Sequence, residues 1–491
     1  MKGLSMINPD NAELRFLVSK MPNAALTEWG NFSIKTRVTA RLNQFTYYIS
    51  SGNSKKPTLP RNVYDRLALD QDNYVKKNSV LVMDGLIGAE EKVSAQARLI
   101  IESSAANIAA MQKQLYFPIA KSSHPDMTTI YTPNLSADFY GQPYLIAVDL
   151  DNYVTRIFGT DYFGESKKGG LRMWNKWIYD RGGLALHAGC KTYWDSHGKE
   201  WSIVIIGLSG TGKTTTTFHH HLNSQPVQDD FCAIFPDGRI YASENGCFAK
   251  TYRLSEDHEP LIYKALTDPQ SWLENVYVDK SGRVDFDNGL HTTNGRGTFN
   301  LRSIPHRNPC DLPPISHIIF LNRNFDIIPG IARLDIKQVA DYFLLGETTG
   351  TSAGGACEAG KSLRVPGTNP FFPYGDPLQA QRFKAIVSAN PTIQVLLMNT
   401  GCIGGREDSP NSIKITIGNS SALIEALLTD QIDWCQDQDF GYEIAGNVIE
   451  GCSEFITNPL LFYQSTKRLN EYKKTISQLK RSRDRYLTRL K

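Results

Sequence analysis

Short apolar runs bounded by turn-forming residues alternate with amphipathic stretches along this chain. Buried strands are predicted where the apolar runs fall, at residues 47–49, 79–83, 202–206, 317–321 and 392–398. The apolar spacing over residues 95–111 favours a helix, and the following residues 114–119 resemble a strand. The pattern therefore predicts a mixed α/β fold.

The length of 491 residues predicts two or three domains. We place an N-terminal α/β domain at residues 1–181, a second domain at residues 182–459 and a terminal helix at residues 460–491. Seven glycines fall between residues 346 and 375 and predict a long loop, either a mobile lid or a linker. Because strand and helix patterns continue on both sides, we favour the lid.

The terminal segment carries an amphipathic pattern. Its apolar residues recur every three or four positions from Leu469 to Leu490, and Arg483 alone interrupts the stripe. We favour a helix that docks on its own protein with a solvated basic face. Self-association through a coiled coil and contact with an acidic partner are the alternatives.

Charge is nearly balanced, with 53 Lys and Arg, 50 Asp and Glu and a net charge of +3. This charge is too small for a general nucleic-acid or membrane surface, and no apolar run is long enough to span a bilayer. Residues 467–491 hold ten Lys or Arg and two Asp or Glu, so the tail is basic. The scattered cysteines favour reduced thiols and a cytoplasmic location.

The strongest local signal is the segment GLSGTGKTT, which follows the predicted strand 202–206. It fits G-x-x-x-x-G-K-[ST], the P-loop pattern, in a strand–loop–helix context. Its residues are Gly207, Leu208, Ser209, Gly210, Thr211, Gly212, Lys213, Thr214 and Thr215. Glycines let backbone N–H groups converge on phosphate oxygens, Lys213 adds a positive charge and the Thr214 hydroxyl can ligate a divalent cation. We predict nucleotide phosphate binding here.

Two groups of residues downstream could bind a metal. Asp229 and Asp230 follow a possible short strand, and a P-loop site needs an acidic residue there to hold or orient its metal. The run from His219 to His221 occupies consecutive positions that cannot face one ion together. We therefore interpret the histidines as a solvated helix face and the aspartates as the metal candidates.

Several motifs in order resemble the ATP-dependent phosphoenolpyruvate carboxykinases. They are GTDYFGESKKG at residues 159–169, GLSGTGKTT, the Asp229 and Asp230 pair, and ENGCFAKTYRLSEDHEPLIY at residues 244–263. The resemblance extends roughly from residue 38 to residue 422 and leaves the tail outside. It implies a two-domain carboxykinase-like α/β fold, with a substrate-side N-terminal domain and a P-loop mononucleotide-binding domain.

The resemblance also implies site residues. Lys168, His187 and Asp230 would bind a Mn²⁺-like ion, with Lys168 acting as a neutral amine, and Thr214 and Asp229 would serve the Mg²⁺ of ATP. The groups implied to act on the substrate and the transferring phosphoryl are Arg41, Tyr162, Lys167, Lys168, Lys213 and Arg296. The arginines and lysines in this group supply the positive charge that decarboxylation needs at the developing enolate.

Base recognition departs from the family pattern. The resemblance implies nucleotide contacts at Lys250 and Glu259 and, on the adenine side, at Lys414 and Ser420. Lys414 stands where the family has arginine, and Ser420 stands where it has threonine. Nucleotide preference is therefore expected to be weaker or shifted.

The implied activity is conversion of oxaloacetate and ATP to phosphoenolpyruvate, CO₂ and ADP, or the reverse, with Mn²⁺ and Mg²⁺ as cofactors and a small molecule as the partner. One alternative is an ATP-dependent kinase of another small carboxylate or of a protein hydroxyl. Another is a nucleotide-binding scaffold without catalysis. Release of CO₂ together with ADP separates the first two possibilities.

Overall fold

The computed structural model describes residues 5–49, 56–119, 124–208, 210–350 and 360–490. The chain divides into two compact units. The first unit comprises Met1–Arg181, Tyr241–Cys310 and Phe371–Gly375. The second unit comprises Gly182–Ile240, Asp311–Pro370 and Asp376–Lys491.

The elements are numbered in chain order. The helices are α1 (Asn11–Ser19), α2 (Arg61–Lys77), α3 (Ala106–Leu115), α4 (Phe163–Asp180), α5 (Lys213–Phe218), α6 (Pro260–Leu266), α7 (Ile336–Leu345), α8 (Asp376–Ala389), α9 (Ile417–Leu428), α10 (Glu454–Thr457), α11 (Pro459–Ser465) and α12 (Leu469–Leu490). Within the described ranges, these helices include none with the length and apolar character that crossing a membrane requires.

The strands of the N-terminal half are β1 (Ser5–Ile7), β2 (Ala24–Leu26), β3 (Phe32–Ile34), β4 (Thr46–Ile49), β5 (Thr58–Leu59), β6 (Val80–Ile87), β7 (Ala95–Glu102), β8 (Met127–Thr132), β9 (Leu145–Asp149), β10 (Val154–Phe158), β11 (Leu184–Leu186), β12 (Ala188–Trp194), β13 (Glu200–Ile206), β14 (Gln225–Gln228) and β15 (Cys232–Ile234). The remaining strands are β16 (Ile240–Ala242), β17 (Gly246–Lys250), β18 (Trp272–Glu274), β19 (Tyr277–Val278), β20 (Val284–Asp285), β21 (Arg296–Asn300), β22 (Ile315–Asn322), β23 (Ile331–Arg333), β24 (Glu347–Thr349), β25 (Ser362–Arg364), β26 (Gln394–Asn399), β27 (Cys402–Ile403), β28 (Ile413–Lys414), β29 (Trp434–Gln436) and β30 (Glu443–Ala445).

The first unit contains two large sheets, beside the two-stranded sheet of β19 and β20. The larger has the order β1-β6-β7-β8-β10-β9-β4-β5, and the smaller has the order β17-β21-β18-β3-β2. Strand β18 pairs with β3 in parallel, so residues from the middle of the chain complete a sheet begun near the N-terminus. The boundary at 181 and 182 coincides with a change of unit, but residues 241–310 and 371–375 return to the first unit instead of staying in the predicted domain 182–459.

The helix predicted over residues 95–111 is wrong in its first half. Strand β7 occupies its start, and buried Ala97, Leu99 and Ile101 alternate with half-exposed neighbours along it. That alternation has the period of a strand, and β7 pairs with β6 along eight residues each. Helix α3 begins only at Ala106 and runs into the strand predicted at 114–119, of which Phe117 keeps an isolated bridge to Leu86.

The second unit is built on a sheet with the order β14-β12-β13-β22-β26-β23-β30-β29. Its centre is parallel, because β13 pairs with β22 and β22 pairs with β26 in that sense. Every residue of β22 is buried, which explains the continuous apolar runs in the sequence. The strands predicted at 202–206 and 317–321 lie within β13 and β22, and β26 covers most of 392–398.

The glycine-rich segment 346–375 is more ordered than the predicted loop. Strands β24 and β25 form a hairpin at its base. Residues 351–359 of the predicted lid lie outside the described residues. Gly346 has a φ of 42°, and a Cβ atom there would approach the Val365 carbonyl oxygen to 1.7 Å. Glycine is therefore required at this entry to the hairpin.

The terminal helix α12 docks on the second unit, as the favoured interpretation predicted. Tyr472 and Ile476 join the core cluster of that unit. Arg483, which interrupts the apolar stripe, is also buried, and its guanidinium pairs with Glu347 at the start of β24. Its Nη1 donates to the Tyr342 hydroxyl at 3.1 Å. The break in the pattern is therefore a buried ion pair.

Candidate active site

The P-loop segment links β13 to α5 in the second unit. Gly210 and Gly212 have φ values of 88° and 93°, a region that favours glycine. A Cβ atom on Gly207 would lie 2.4 Å from Thr211 Oγ1, which donates to the Leu208 carbonyl at 2.8 Å. Ser209 lies outside the described residues, and the Thr215 carbonyl accepts from the His219 N–H. The predicted strand–loop–helix context is present.

Three of the predicted site residues of this unit meet at Asp230. Lys213 Nζ lies 3.3 Å from Asp230 Oδ1, and His187 Nε2 lies 3.0 Å from the same oxygen. His187 Nδ1 lies 2.9 Å from the Thr368 carbonyl. A carbonyl can only accept, which assigns the ring proton to Nδ1. With that proton on Nδ1, Nε2 of His187 faces a carboxylate oxygen, an arrangement that a second proton or a metal cation at Nε2 stabilises.

A second set of oxygen donors lies beside the first. Thr214 Oγ1 donates to Asp229 Oδ2 at 3.2 Å. Asp229 Oδ1 is buried, and no hydrogen-bond partner for it occurs among the described residues. The backbone N–H of Asp229 donates to Gln228 Oε1 at 2.7 Å. A hydroxyl and a carboxylate with an unused buried oxygen fit a divalent cation that prefers oxygen ligands.

The first unit gathers the predicted substrate-side cations around two phenylalanine rings. Arg41 Cζ lies 5.3 Å and Lys168 Nζ lies 4.9 Å from the ring centroid of Phe371. Lys167 Nζ lies 5.9 Å and Arg296 Cζ lies 5.4 Å from the ring centroid of Phe248. These aromatic faces hold the cations at fixed positions without neutralising them.

Helix α4 carries both lysines, and its residues Phe163 to Asn175 are buried. Lys167 Nζ pairs with Glu244 Oε2 at 3.0 Å, and both side chains are nearly inaccessible. Lys168 belongs to this unit, whereas His187 and Asp230 belong to the other. Glu244 was missed in the sequence although it begins the ENGCFAK motif.

Tyr162 and Arg296 are joined by a residue that the sequence did not single out. Asn294 Nδ2 lies 3.4 Å from the Tyr162 hydroxyl, and Arg296 Nη2 donates to Asn294 Oδ1 at 2.9 Å. Burial raises the pKa of Tyr162, while the Arg296 charge acts in the opposite direction. Tyr162 is therefore a protonated hydroxyl at neutral pH. Asn294 could have been found because it lies two residues before Arg296.

Three further buried charged residues near this cluster were missed. Arg172 Nη2 lies 3.2 Å from Glu165 Oε2, and both side chains are almost fully buried. Glu274 accepts from the Phe163 N–H at 2.8 Å, and burial raises its pKa to about 8. The spacing of Glu165, Lys168 and Arg172 at i, i+3 and i+7 places them on one helix face, a signal that could have identified two of them.

Two predicted nucleotide contacts belong to the first unit rather than to the P-loop unit. Lys250 lies opposite Arg296 in the ladder between β17 and β21. Burial lowers the pKa of Lys250, and repulsion by Arg296 and Arg253 adds to this effect. Glu259 immediately precedes helix α6. Both residues therefore lie in the unit that contains Arg296.

The predicted base-side residues lie on the surface of the second unit. Lys414 Nζ pairs with Glu407 at 2.5 Å, and each side chain is 56% exposed. Ser420 lies in the first turn of α9, where its N–H donates to the Thr416 carbonyl at 3.1 Å. No buried contact to a base is built from these two residues in the described part of the chain.

The histidine run is not a solvated helix face. Helix α5 ends at Phe218, and His221 is buried beyond it. Lys191 Nζ lies 2.8 Å from His221 Nδ1 and donates to the His219 carbonyl at 2.5 Å. Burial lowers the pKa of Lys191 to about 7, and burial followed by the Lys191 charge lowers the pKa of His221. The helix ends just before the run, and His221 then turns inward while His220 stays exposed.

Comparison with known proteins agrees with the motif order. The family model described as phosphoenolpyruvate carboxykinase matches residues 5–453. Among similar proteins, the phosphoenolpyruvate carboxykinase (ATP) of Aeropyrum pernix is 31% identical over 395 residues, which cover 78% of this chain and 76% of the relative. That of Lysinibacillus sphaericus is 31% identical over 421 residues, covering 81% and 76%.

The enzyme of the same name from Afipia carboxidovorans is 32% identical over 352 residues, which cover 68% of this chain and 63% of the relative. The family match ends before α12 begins at Leu469. A strand–loop–helix P-loop, a Lys–Asp–His cluster and buried substrate-side cations are all present within the matched region. The chain belongs to the phosphoenolpyruvate carboxykinase family.

Proposed function

We propose that the protein is an ATP-dependent phosphoenolpyruvate carboxykinase that converts oxaloacetate and ATP to phosphoenolpyruvate, CO₂ and ADP, or catalyses the reverse reaction. The observation that carries the proposal is that the P-loop residue Lys213 and His187 both contact Asp230, in a chain that belongs to this family. A nucleotide phosphate and a cation both have partners there.

The chemistry places distinct demands on the two ends of the substrate. The bond between the departing carboxylate and its carbon breaks, and its electron pair forms an enolate as CO₂ leaves. The enolate oxygen then attacks the γ-phosphorus while the bond to ADP breaks. Cations at the enolate and between the two anions lower both barriers.

The residues of the first unit fit the enolate and carboxylate end. Lys167 and Tyr162 present an ammonium and a hydroxyl donor to the enolate, and Arg41 holds a carboxylate. Arg296, fixed by Asn294, carries a charge suited to the transferring phosphoryl. The burial of Lys167 and Tyr162 keeps water away and strengthens their interactions.

Lys213 would contact the β- and γ-phosphates of ATP, and the loop N–H groups would bind the phosphate oxygens. His187 and Asp230 would hold one divalent cation, with Lys168 as the further ligand that the resemblance implies. Thr214 and Asp229 would serve the Mg²⁺ that accompanies ATP. When bound, these cations neutralise phosphate charge and polarise the reacting oxygens. The nitrogen ligand favours Mn²⁺ over Mg²⁺ at the first site.

We also propose a cytoplasmic location, supported by the scattered cysteines.

We propose in addition that the protein self-associates through the exposed basic face of α12. Comparing the solution mass of the full chain with that of residues 1–466 tests this. An unchanged mass contradicts it.

The test of the activity supplies oxaloacetate, ATP, Mg²⁺ and Mn²⁺ to the purified protein and measures CO₂, ADP and phosphoenolpyruvate. We expect equal molar amounts of the three products, and none with Lys213→Met. Formation of ADP with a phosphorylated carboxylate other than phosphoenolpyruvate, and without CO₂, contradicts the proposal and favours a kinase.

A further inference from the structure

Arg172 on helix α4 is a buried guanidinium with an unused donor. The residue is 2% exposed. Its Nη2 meets Glu165 Oε2 at 3.2 Å, whereas its Nη1 has no hydrogen-bond partner among the described residues. A guanidinium has five N–H donors, and leaving one unsatisfied away from water is unfavourable. The vacant donor is therefore a place where a ligand oxygen gains stability.

The surroundings of Arg172 are positively charged. Its Cζ lies 5.6 Å from the ring centroid of Phe371, the same ring that Arg41 and Lys168 approach. Burial lowers the pKa of Arg41, and repulsion by Arg172 and Arg296 adds to the effect of burial, which Glu165 opposes. The charge on Arg41 is thus disfavoured by two other guanidiniums and favoured by the Glu165 carboxylate.

Glu165 is already engaged on both oxygens. Its Oε1 accepts from the backbone N–H of Leu42 at 2.7 Å, and its Oε2 meets Arg172. It therefore links the segment that carries Arg41 to Arg172, while Arg172 Nη1 makes no hydrogen bond to it. Arg41 is only partly buried, so the cluster is in contact with solvent on its side.

We propose that Arg172 joins Arg41 in binding a carboxylate of the substrate. Two guanidiniums offer parallel N–H donors that match carboxylate oxygens better than a lysine does. The inference deepens the proposed function and rests on it for the identity of the substrate. It adds a substrate contact to the residues that the motifs indicated.

The competing explanation is that Arg172 only neutralises Glu165. Arg172→Gln alone leaves Glu165 buried and unpaired, so the decisive protein is the double variant Glu165→Gln/Arg172→Gln. The glutamine that replaces Glu165 can still accept from the Leu42 N–H through its amide oxygen, and the pair is then neutral. Arg181→Gln, an exposed position immediately after the same helix, is the matched control.

The probe is oxalate, the smallest dicarboxylate, and its Kd is measured by calorimetry for each protein, with ATP binding and thermal unfolding as companions. We expect oxalate Kd to rise about 10- to 100-fold in the single and the double variant, as the loss of a charged hydrogen bond predicts. ATP affinity should stay within about twofold, because Arg172 belongs to the substrate-side cluster. Arg181→Gln should change neither.

Recovery of wild-type oxalate affinity in the double variant overturns the inference, because Arg172 then only neutralises Glu165. If that variant fails to fold, Arg172→Lys decides. A lysine keeps the charge opposite Glu165 but loses the second arm of the fork, so we expect weaker oxalate binding, and wild-type affinity overturns the inference.

The two failures are distinguishable. If oxaloacetate is not turned over but oxalate binding depends on Arg172, the proposed reaction is wrong and the dicarboxylate site remains. If oxaloacetate is turned over and oxalate binding ignores Arg172, only the inference about Arg172 is wrong.

Discussion

The P-loop end and the base-side end of the second unit hold their charges in contrasting ways. At the P-loop end the side chains of Lys213 and Asp230 are 6% and 16% exposed. At the base-side end Lys414 and Glu407 are each 56% exposed. Buried charges are fixed by their neighbours, whereas an exposed ion pair contributes little and is screened by salt. The comparison teaches that the predicted phosphate site is held in place more firmly than the predicted base site.

The largest effect is expected from Lys213→Ala. No other loop residue can supply its charge to the β- and γ-phosphates, so kcat/KM should fall by about 10³-fold or more. Steady-state rates with oxaloacetate and ATP check this, with Lys414→Ala as the exposed control. A kcat/KM for Lys213→Ala near that of wild type would show that the buried charge at the P-loop end matters no more to the reaction than the exposed charge of Lys414.

Arg483→Met extends the comparison to the tail. The change leaves Glu347 with only its longer ion pair to Arg364, at 3.5 Å, so the free energy of unfolding should fall by about 1.5–3 kcal/mol, the contribution of a hydrogen bond to a charged group. Chemical denaturation of this variant and of Arg485→Met, an exposed neighbour on the same helix, measures the effect. Equal stability of the two variants would show that the buried pair does not hold α12.

His187→Gln tests the metal assignment at the P-loop end. Loss of the ring nitrogen beside Asp230 should weaken Mn²⁺ binding about 10- to 100-fold. Titration of Mn²⁺ into chelator-treated protein, followed by its paramagnetic resonance signal, gives the affinity directly. Full activity of wild type with Mg²⁺ alone after the same treatment would count against a separate Mn²⁺ site.

Lys191 predicts a pH dependence beneath the P-loop helix. Burial lowers its pKa in the folded protein to about 7, below its usual 10.5. The unfolded state therefore binds more protons between these values, and stability should rise with pH across that window. Lys191→Met should flatten this rise by up to about 1.4 kcal/mol per pH unit. Parallel slopes for the two proteins from pH 7 to 10 would contradict the assignment.

The smallest effect is expected at the base-side end. Lys414→Ala removes only an exposed pair, so kcat/KM for ATP should change by less than about threefold. The ratio of kcat/KM for ATP to that for GTP should be low in wild type and rise in Lys414→Arg, which restores the family's arginine. Strong discrimination in wild type, lost in Lys414→Ala, would reverse the comparison.

The ordered motifs were sufficient to indicate the family, the α/β class and the activity class. The P-loop and the two aspartates could be found because phosphate and metal binding require particular residue types at short spacings, whereas His187 was implied only by the resemblance to the family. The meeting of Lys213, His187 and Asp230 agrees with those motifs. The roles assigned to individual residues remain predictions that the variants above test.

Other features could not be derived from local pattern. The apolar residues of 95–111 fit both the spacing of a helix and the alternation of a strand. Strand β7 forms at the start of this segment because β6 and β8 are available to pair with it. Residues 241–310 join the first unit because β18 pairs with a strand more than two hundred residues earlier. Such pairings depend on surfaces that exist only after the chain has folded.

The sequence by itself therefore determined which chemistry is present, because the residue types that hold phosphate and cations are restricted and occur in short motifs. Only the tertiary structure decided which charges are buried and what they face. Arg483 looks like a break in a surface helix, and Arg172 looks like one more basic residue. In the folded protein Arg483 is buried in an ion pair with Glu347, and Arg172 is buried in an ion pair with Glu165. The energy of each charge depends on these surroundings more than on its sequence neighbours.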